Sequence, residues 1–229
     1  MMISIIMPIL NEAENLKRIL PQLKQIKSSL PYELIIVDGG SQDGSQEIAG
    51  KYGTVYHFQE KNRGAQLRYG VSQAKGEILW FLHADSWFEE DLTNLFEKMV
   101  SILKQPNVSA GFFRITFKGK GWFYRYLGFS SHLRALHLGL IFGDQGMFIS
   151  REIYHQVGGF EAIPLMEDFD LSRKLAKIGK FVPLGLRIFS SDRRFEGQKF
   201  RVHVKMHWYQ WQYLHGKTPE ELVKKYYKE

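Results

Sequence analysis

The fold of this chain is indicated most clearly by residues 34–45, which read LIIVDGGSQDGS. The four apolar residues at its start predict a short buried strand that ends at Asp38. The polar, glycine-rich turn that follows leads into a helix predicted around Gln46–Tyr52. A strand, a turn and a helix in this order form the building unit of a parallel sheet.

The segments on both sides repeat this order. Strands are predicted at Ile3–Leu10, Thr54–Phe58 and Glu77–Leu82, and each is followed by apolar residues at helical spacing. The first helix is expected to begin at Asn11, because Asn11 with Glu14 three residues later matches a capping box. This alternation predicts an α/β fold with a mostly parallel sheet and helices on both faces.

The second half of the chain is less regular. It contains predicted strands at Val108–Phe117 and Met147–Ser150 and a helix at Asp168–Ile178, which ends before Gly179. No internal repeat and no Pro/Gly linker divides the sequence. Since 229 residues with 44% hydrophobic content can form one large core, a single domain over residues 1–229 is expected.

The charge of the chain favours an anionic partner. The formal net charge is +7 and the pI is about 9.4. Residues 111–143 contain no Asp or Glu, and their basic residues are interleaved with aromatic ones, as are those of residues 193–227. These stretches are compatible with a solvated basic face over the core and with a surface that binds a nucleotide, a phosphorylated lipid, a membrane or nucleic acid.

The composition also bears on the compartment. Cysteine is absent, so neither a disulfide nor a thiolate metal site can form. The strand predicted from Ile3 leaves no room for a signal peptide after Met1, and no window reaches the run of about 18 apolar residues that a membrane span needs. We therefore expect a cytoplasmic protein that does not cross a bilayer.

Acidic side chains stand at the carboxyl ends of two predicted strands. Asp38 ends one strand, and Asp85 follows the apolar run Ile78–Leu82. Either Asp alone can be a turn residue held by backbone N–H groups, but ligands of open parallel sheets bind beyond the carboxyl ends of the strands. The loop after Asp38 has neither Walker A nor GxGxxG spacing. Asp38 is therefore a candidate to accept from a base N–H or a ribose hydroxyl, and Asp43 to cap the next helix.

Five ordered motifs resemble those of family-two glycosyltransferases with the GT-A fold. They are MPILNE at 7–12, IVDGGSQDGS at 36–45, NRG at 62–64, HAD at 83–85 and MED at 166–168, spread over roughly residues 3–190. The ordered set is far more specific than any single motif. GDQG at 143–146, PLMED at 164–168 and SDRR at 191–194 further resemble a small soluble, bacterial-type subgroup. The resemblance implies one GT-A domain, in which residues up to about 110 bind a nucleotide-sugar and residues from about 111, with C-terminal helices, bind an acceptor.

The resemblance implies a divalent cation, Mn²⁺ or Mg²⁺, at Asp85. In such enzymes the last Asp of a D-x-D-like element holds a cation that bridges the two phosphates of the nucleotide-sugar and neutralises the leaving diphosphate. Here the element reads His83–Ala84–Asp85. His83 replaces a carboxylate, so it is either a nitrogen ligand that suits Mn²⁺ better than Mg²⁺ or a hydrogen-bond partner of a ribose or sugar hydroxyl, which we favour.

The resemblance implies that Asp168 is the catalytic base of an inverting transfer. One carboxylate must take the proton of the acceptor hydroxyl as it attacks the anomeric carbon from the face opposite the diphosphate. Glu167 is then its partner, which orients the acceptor or Asp168. Without the other motifs, both acids would be explained by the preference for negative charge in the first turn of a helix.

Further residues of the motifs complete the site that the resemblance implies. Asp144 and Gln145 are placed near the donor sugar and acceptor, or else form a structural turn. Arg193 and Arg194 are placed to close over the diphosphate in bidentate fashion, or else form a solvated basic turn. The remaining nucleotide-sugar candidates are Pro8, Asn11, Glu12, Arg63 and Arg68.

The acid-free segment 111–143 is expected on the acceptor side. Its character is compatible with an amphipathic element on an anionic membrane at its inner face, with a lipid-linked or aromatic acceptor, and equally with a homodimer. Four aromatic residues of the C-terminal stretch either pack in the core over the sheet, which we favour, or extend that surface; they are Trp208, Tyr209, Trp211 and Tyr213.

Two other functions explain less of the sequence. A sugar nucleotidyltransferase needs a Gly-rich, basic N-terminal loop, which residues 8–12 are not. A non-catalytic basic module that binds anionic lipid or nucleic acid leaves Asp38, Asp85 and Asp168 unexplained, and no nucleic-acid motif is present. The sequence therefore predicts an inverting, metal-dependent glycosyltransferase that uses a nucleoside diphosphate sugar, with UDP expected from the family and no nucleic-acid partner.

Overall fold

The computed structural model describes residues 1–60, 62–119, 121–191 and 198–226. Within them, the strands are β1 Ile3–Ile9, β2 Tyr32–Asp38, β3 Thr54–His57, β4 Ile78–Phe81, β5 Ser86–Trp87, β6 Val108–Phe117, β7 Phe148–Ser150 and β8 Lys180–Ser190. The helices are α1 Ala13–Lys24, α2 Ser45–Gly50, α3 Arg63–Gln73, α4 Leu95–Leu103, α5 Trp122–Leu138, α6 Arg151–Gln156, α7 Glu167–Ala176, α8 Lys199–Leu214 and α9 Pro219–Tyr226, with a short 3₁₀ turn at Gly143–Gln145.

The strands form one sheet in the order β3-β2-β1-β4-β7-β6-β8-β5. Strands β3, β2, β1 and β4 run parallel to one another, and β6 runs parallel to β8. Strand β7 runs antiparallel to β4 and β6, and β5 runs antiparallel to β8. The prediction of an α/β fold with a mostly parallel sheet is confirmed.

Helices cover both faces of this sheet. Alternate residues of β1 point to opposite faces, so Ile5 packs in a cluster with Leu16 of α1, whereas Ile6 packs with Leu67 of α3 and Leu171 of α7. A strand that is buried on both faces reads as a continuous apolar run. This is why the strands of the first half could be located in the sequence.

The prediction that Asn11 caps the first helix is wrong. Asn11 adopts a left-handed conformation with φ 56°, and its Oδ1 accepts the N–H of Gln42 at 2.9 Å. Helix α1 starts two residues later, and Asp43 Oδ2 accepts its first amide, that of Ala13, at 3.0 Å. Asp43 also meets the start of the next helix, as predicted: its Oδ1 accepts the N–H of Ser45, the first residue of α2, at 3.1 Å. A local pattern shows that a helix begins but does not show which distant loop caps it.

The C-terminal aromatic residues only partly follow the prediction of core packing. Tyr209 is buried, but Trp208 and Trp211 are exposed, because both lie on the outward side of α8. No helix in the described part of the chain is long and apolar enough to span a membrane.

Candidate active site

A cavity of about 430 Å³ lies beyond the carboxyl ends of β1 and β4. It is lined by side chains from separate predicted motifs, namely Asn11, Glu12, Arg63, His83, Asp85, Asp144 and Asp168. Helices α5 and α8 supply further walls. The topology thus brings polar side chains from both halves of the chain to one place, where a ligand of an open α/β sheet is expected.

Other predicted site residues do not line this cavity. Arg68 is exposed on α3, Ala84 is buried in the core, and Pro8 is half-buried within β1. The pairing of β1 with β4 ends at Ile6. Pro8 lies beyond that point, where a residue without a backbone N–H is tolerated. Arg193 and Arg194 lie outside the described residues.

Asp38 is fully buried and is bonded by its own loop. Its carboxylate accepts the N–H groups of Gly40 at 3.1 Å and Ser41 at 3.0 Å, the Ser41 hydroxyl, and the side-chain amide of Gln46 at 2.6 Å. Asp38 is therefore bonded as a turn residue, one of the two alternatives considered for it. It fixes the loop whose Asp43 caps α1 beside the cavity.

The motif at residues 62–64 clamps α3 onto the loop before α7. Asn62 caps α3 by accepting the N–H of Ala65 at 3.0 Å, and its amide donates to the carbonyl of Ala162 at 3.0 Å. A Cβ at Gly64 would lie 2.3 Å from the Glu161 carbonyl oxygen, so only glycine permits this approach. The clamp directs the side chain between these two residues, Arg63, toward the start of α7.

Glu167 is buried under Arg63. Its side chain is 1% exposed and forms an ion pair with Nε of Arg63, whereas its Oε2 has no hydrogen-bond partner among the described residues. Burial raises the pKa of the Glu167 carboxyl, with Arg63 opposing that shift and Asp168 reinforcing it. Because Glu167 does not line the cavity, its position suits holding Arg63 over Asp168 rather than contacting an acceptor.

Asp168 faces the cavity from the first turn of α7. Its Oδ2 accepts the N–H of Gly143 at 2.8 Å and lies 3.9 Å from Nη2 of Arg63. Its Oδ1 accepts the N–H of Phe169 at 2.7 Å. The carboxylate is therefore held in one orientation by backbone groups and a nearby positive charge, and it remains accessible from the cavity.

Arg134 is a cavity residue that the sequence motifs do not identify. Its guanidinium lies 3.8 Å from the centroid of the Phe142 ring and donates to Gln145 Oε1 at 3.0 Å. Burial lowers the pKa of Arg134, and the carboxylates of Asp144 and Asp168 oppose that shift. In sequence Arg134 is one basic residue in an aromatic segment, and no spacing links it to the other motifs.

The turn at residues 143–146 treats its two candidates differently. Asp144 lines the cavity. Gln145 is fully buried, and its Oε1 also accepts the N–H of Phe142 at 3.3 Å. Gln145 therefore has the geometry of a residue in a structural turn, whereas Asp144 is open to the cavity.

Gly143 gives a direct test of the packing around His83. A Cβ at residue 143 would lie 2.2 Å from Nε2 of His83, so Gly143→Ala is expected to displace the imidazole and the amide that Asp168 accepts. Since a misplacement of about 1 Å can cost about 10²-fold in rate, we expect the rate of the predicted glycosyl transfer to fall at least tenfold in a steady-state assay. Gly50→Ala is the matched control, because a Cβ there meets open space. Equal activity of the two variants would contradict a role of His83 and of the Gly143 amide in the site.

The side chains around His83 and Asp85 limit how a metal can bind. Within the ranges that the structure describes, no three His, Cys, Asp or Glu side chains form a metal-binding group. Asp85 and His83 nonetheless line the same cavity. Hard cations such as Mg²⁺ are commonly bound by one or two carboxylates together with substrate phosphates and water. Asp85 and His83 fit a cation that binds together with a diphosphate and takes its remaining ligands from phosphate oxygens and water.

The chain belongs to glycosyl transferase family 2, whose family model matches residues 4–159. An uncharacterized glycosyltransferase of Rickettsia felis is 27% identical over 250 residues, covering 97% of this chain and 40% of that protein. Glycosyltransferase AglE of Haloferax volcanii is 34% identical over 106 residues, covering 41% of this chain and 35% of AglE. The chain thus spans well under half the length of these relatives.

Solved structures confirm the GT-A fold. The mannosyltransferase PcManGT from Pyrobaculum calidifontis, in complex with GDP-Man and Mn²⁺, matches with a TM-score of 0.69 and 19% identity over 95% of this chain and 66% of that chain. S. aureus TarS 1-349, in complex with UDP-GlcNAc, matches with a TM-score of 0.67 and 16% identity over 88% of this chain and 61% of that chain. At these identities, the similarity establishes the fold alone.

Proposed function

We propose that this chain is an inverting, metal-dependent glycosyltransferase that moves a sugar from a nucleoside diphosphate sugar to an acceptor hydroxyl. The observation that supports it best is the convergence of Glu12, Arg63, His83, Asp85 and Asp168 on one cavity. These residues belong to four of the five motifs by which the sequence resembles the family, and a non-catalytic basic module would not need them together.

In this proposal Asp168 is the general base. Its carboxylate accepts the proton of the acceptor hydroxyl while that oxygen forms the bond to the anomeric carbon, and the bond to the diphosphate breaks on the opposite face of the sugar. The Gly143 N–H at 2.8 Å and the nearby Arg63 fix the carboxylate in position. Glu167 acts as a positioning residue because it pairs with Arg63.

The donor side of the proposed site centres on Asp85. A divalent cation bound there would neutralise charge on the leaving diphosphate. Asp85 would be its carboxylate ligand, and His83 would hydrogen-bond a ribose or sugar hydroxyl. PcManGT and TarS were solved with GDP-Man and UDP-GlcNAc respectively, so both bases are candidates here. The closing of Arg193 and Arg194 over the diphosphate stays a prediction.

The acceptor side of the proposed site lies under α5 and α8. Residues of these helices line the same cavity as His83 and Asp85, among them Leu127, Arg134, His203 and Met206. We therefore assign residues up to about 110 to donor binding and residues from about 111 onward to acceptor binding within one domain.

The test is a thermal-shift screen with UDP, GDP and their sugars, each with and without Mn²⁺. Ligand at about 100 times its Kd stabilises a protein by about 2.7 kcal/mol, which corresponds to a rise in Tm of about 5–10 °C for a chain of this size. We expect such a rise only when metal and nucleotide are both present. A folded protein that responds to none of these ligands, or equally without metal, would contradict the proposal.

A further inference from the structure

Helix α5 exposes a continuous apolar stripe. Its outward residues lie at the spacing i, i+4, i+7, i+11 and i+14, which is one face of a helix. They are between 37% and 66% exposed and are Trp122, Tyr126, Phe129, Leu133 and Leu136. The outward face of a helix that packs on a core is normally polar, so an apolar face that is this exposed calls for an explanation.

Helix α8 exposes a second stripe of the same kind. Its outward residues, between 48% and 66% exposed, are Phe200, Val204, Trp208 and Trp211. The ring centroids of Trp122 and Phe200 lie 5.9 Å apart, which joins the two stripes into one surface. We call this the α5–α8 surface. Contiguous apolar surfaces of this kind mark interaction sites rather than ordinary solvent-exposed surface.

The formal charges within helices α5 and α8 are all positive. Neither helix contains an Asp or Glu. Two exposed arginines, Arg125 and Arg201, lie beside the stripes. The half-buried Lys199 and Lys205 hold their ammonium groups 4.7 and 5.9 Å from the ring centroids of Tyr124 and Tyr209. Aromatic side chains beside Lys and Arg on amphipathic helices are typical of segments that lie in the interface of an anionic membrane.

We propose that the α5–α8 surface docks this protein on an anionic bilayer. A symmetric dimer through the same surface would bring the basic residues of both copies into one interface, to which neither helix contributes an Asp or Glu, whereas anionic headgroups would complement these charges. The tryptophans suit the headgroup level, where an amphipathic ring has both apolar and polar surroundings. The inner faces of both helices line the cavity, so docking would bring the cavity close to the membrane surface.

The experiment is flotation of the purified protein, without nucleotide or metal, with vesicles of phosphatidylcholine alone or with one quarter phosphatidylglycerol. We expect binding to the anionic vesicles that is lost at high salt, because screening removes the attraction of exposed charges. The variant Phe129→Ser/Trp208→Ser is expected to bind them at least tenfold more weakly. Tyr52→Ser, at an exposed aromatic just beyond the end of α2, is expected to bind like the wild type.

Two controls keep the outcomes separate. The Tm of each variant shows that it folds, since all three side chains are exposed. Sedimentation equilibrium shows whether the double variant instead loses a dimer. Absence of binding to anionic vesicles, binding that ignores lipid charge, or a dimer that disappears in the double variant without any vesicle binding would each overturn the proposal. Because no nucleotide is present, none of these outcomes depends on the proposed transfer activity.

Discussion

Replacing Asp168 with Asn is expected to slow glycosyl transfer by about 10²–10⁴-fold, the usual contribution of a positioned general base, while nucleotide binding stays unchanged. In the variant Asp168→Asn the side-chain amide oxygen can still accept the Gly143 N–H, which the carboxylate accepts at 2.8 Å, and only the contact with the Phe169 N–H is lost. The amide cannot take a proton from an acceptor hydroxyl. The loss should therefore fall on the chemical step, and it is measured as the single-turnover rate at saturating donor.

Asp170→Asn is the matched control for that measurement. Asp170 lies two residues further along the first turns of α7 and pairs with Lys174 at 2.9 Å, away from the cavity. Both variants lose one negative charge near the same helix N-terminus, so an effect of the macrodipole would appear in both. Transfer at the wild-type rate in Asp170→Asn, with the nucleotide-induced rise in Tm retained in both variants, would assign the loss to Asp168. Equal loss in the two variants would remove Asp168 from the role of base.

The parts of the fold that could be predicted from sequence are those determined by local pattern. Strands β1, β2 and β4 are buried on both faces, so each reads as an apolar run that stops at a polar turn. The acids at the ends of these runs could be assigned to one edge of the sheet because parallel strands share their direction. This reasoning predicts a position for Asp85 at the edge of the sheet where the cavity lies, and Asp85 lines that cavity.

The parts that could not be predicted depend on contacts between distant segments. Asp38 ends its strand as Asp85 nearly does, yet its oxygens are bonded by Gly40, Ser41 and Gln46. Asp38 is fully buried whereas Asp85 lines the cavity, and the sequence alone does not separate the turn residue from the ligand-binding one. The position of Glu167 under Arg63 could not be predicted either. It results from the clamp at Asn62 and Gly64, in which Asn62 contacts Ala162, a residue 100 positions away in the sequence.

Strand β8 is not evident from the sequence for a related reason. Its sequence, KFVPLGLRIFS, is interrupted by Pro183 and Gly185, both of which argue against a strand in isolation. In the sheet it pairs with β6 over a register that shifts twice, and such irregular positions tolerate residues that a regular ladder excludes. The sequence indicates helices α5 and α8 only as aromatic, basic stretches, because their outward apolar stripes remove the usual contrast between a buried and a polar face.

Removing the carboxylate of Asp85 is expected to abolish the metal-dependent part of nucleotide binding. If a cation at this position contributes several kcal/mol by neutralising the diphosphate, Asp85→Ala should weaken binding of the nucleoside diphosphate in the presence of Mn²⁺ by on the order of 10²-fold. Binding without Mn²⁺ should change little. Chelation of metal from the wild type should reproduce the behaviour of the variant. Calorimetric titration with and without Mn²⁺ measures all of these quantities independently of transfer.

Asp91→Ala is the matched control, since Asp91 lies in the segment after β5 and its carboxylate accepts the N–H of Thr93 at 2.9 Å away from the cavity. That variant should keep the full metal dependence. Only one carboxylate of the D-x-D-like element is present, and no group of three metal-binding side chains forms in the described ranges. The loss of Asp85 should therefore have a larger effect on metal-dependent binding than it would if a second carboxylate shared the cation. An Asp85→Ala variant that binds nucleotide with undiminished dependence on Mn²⁺ would show that the cation is held elsewhere.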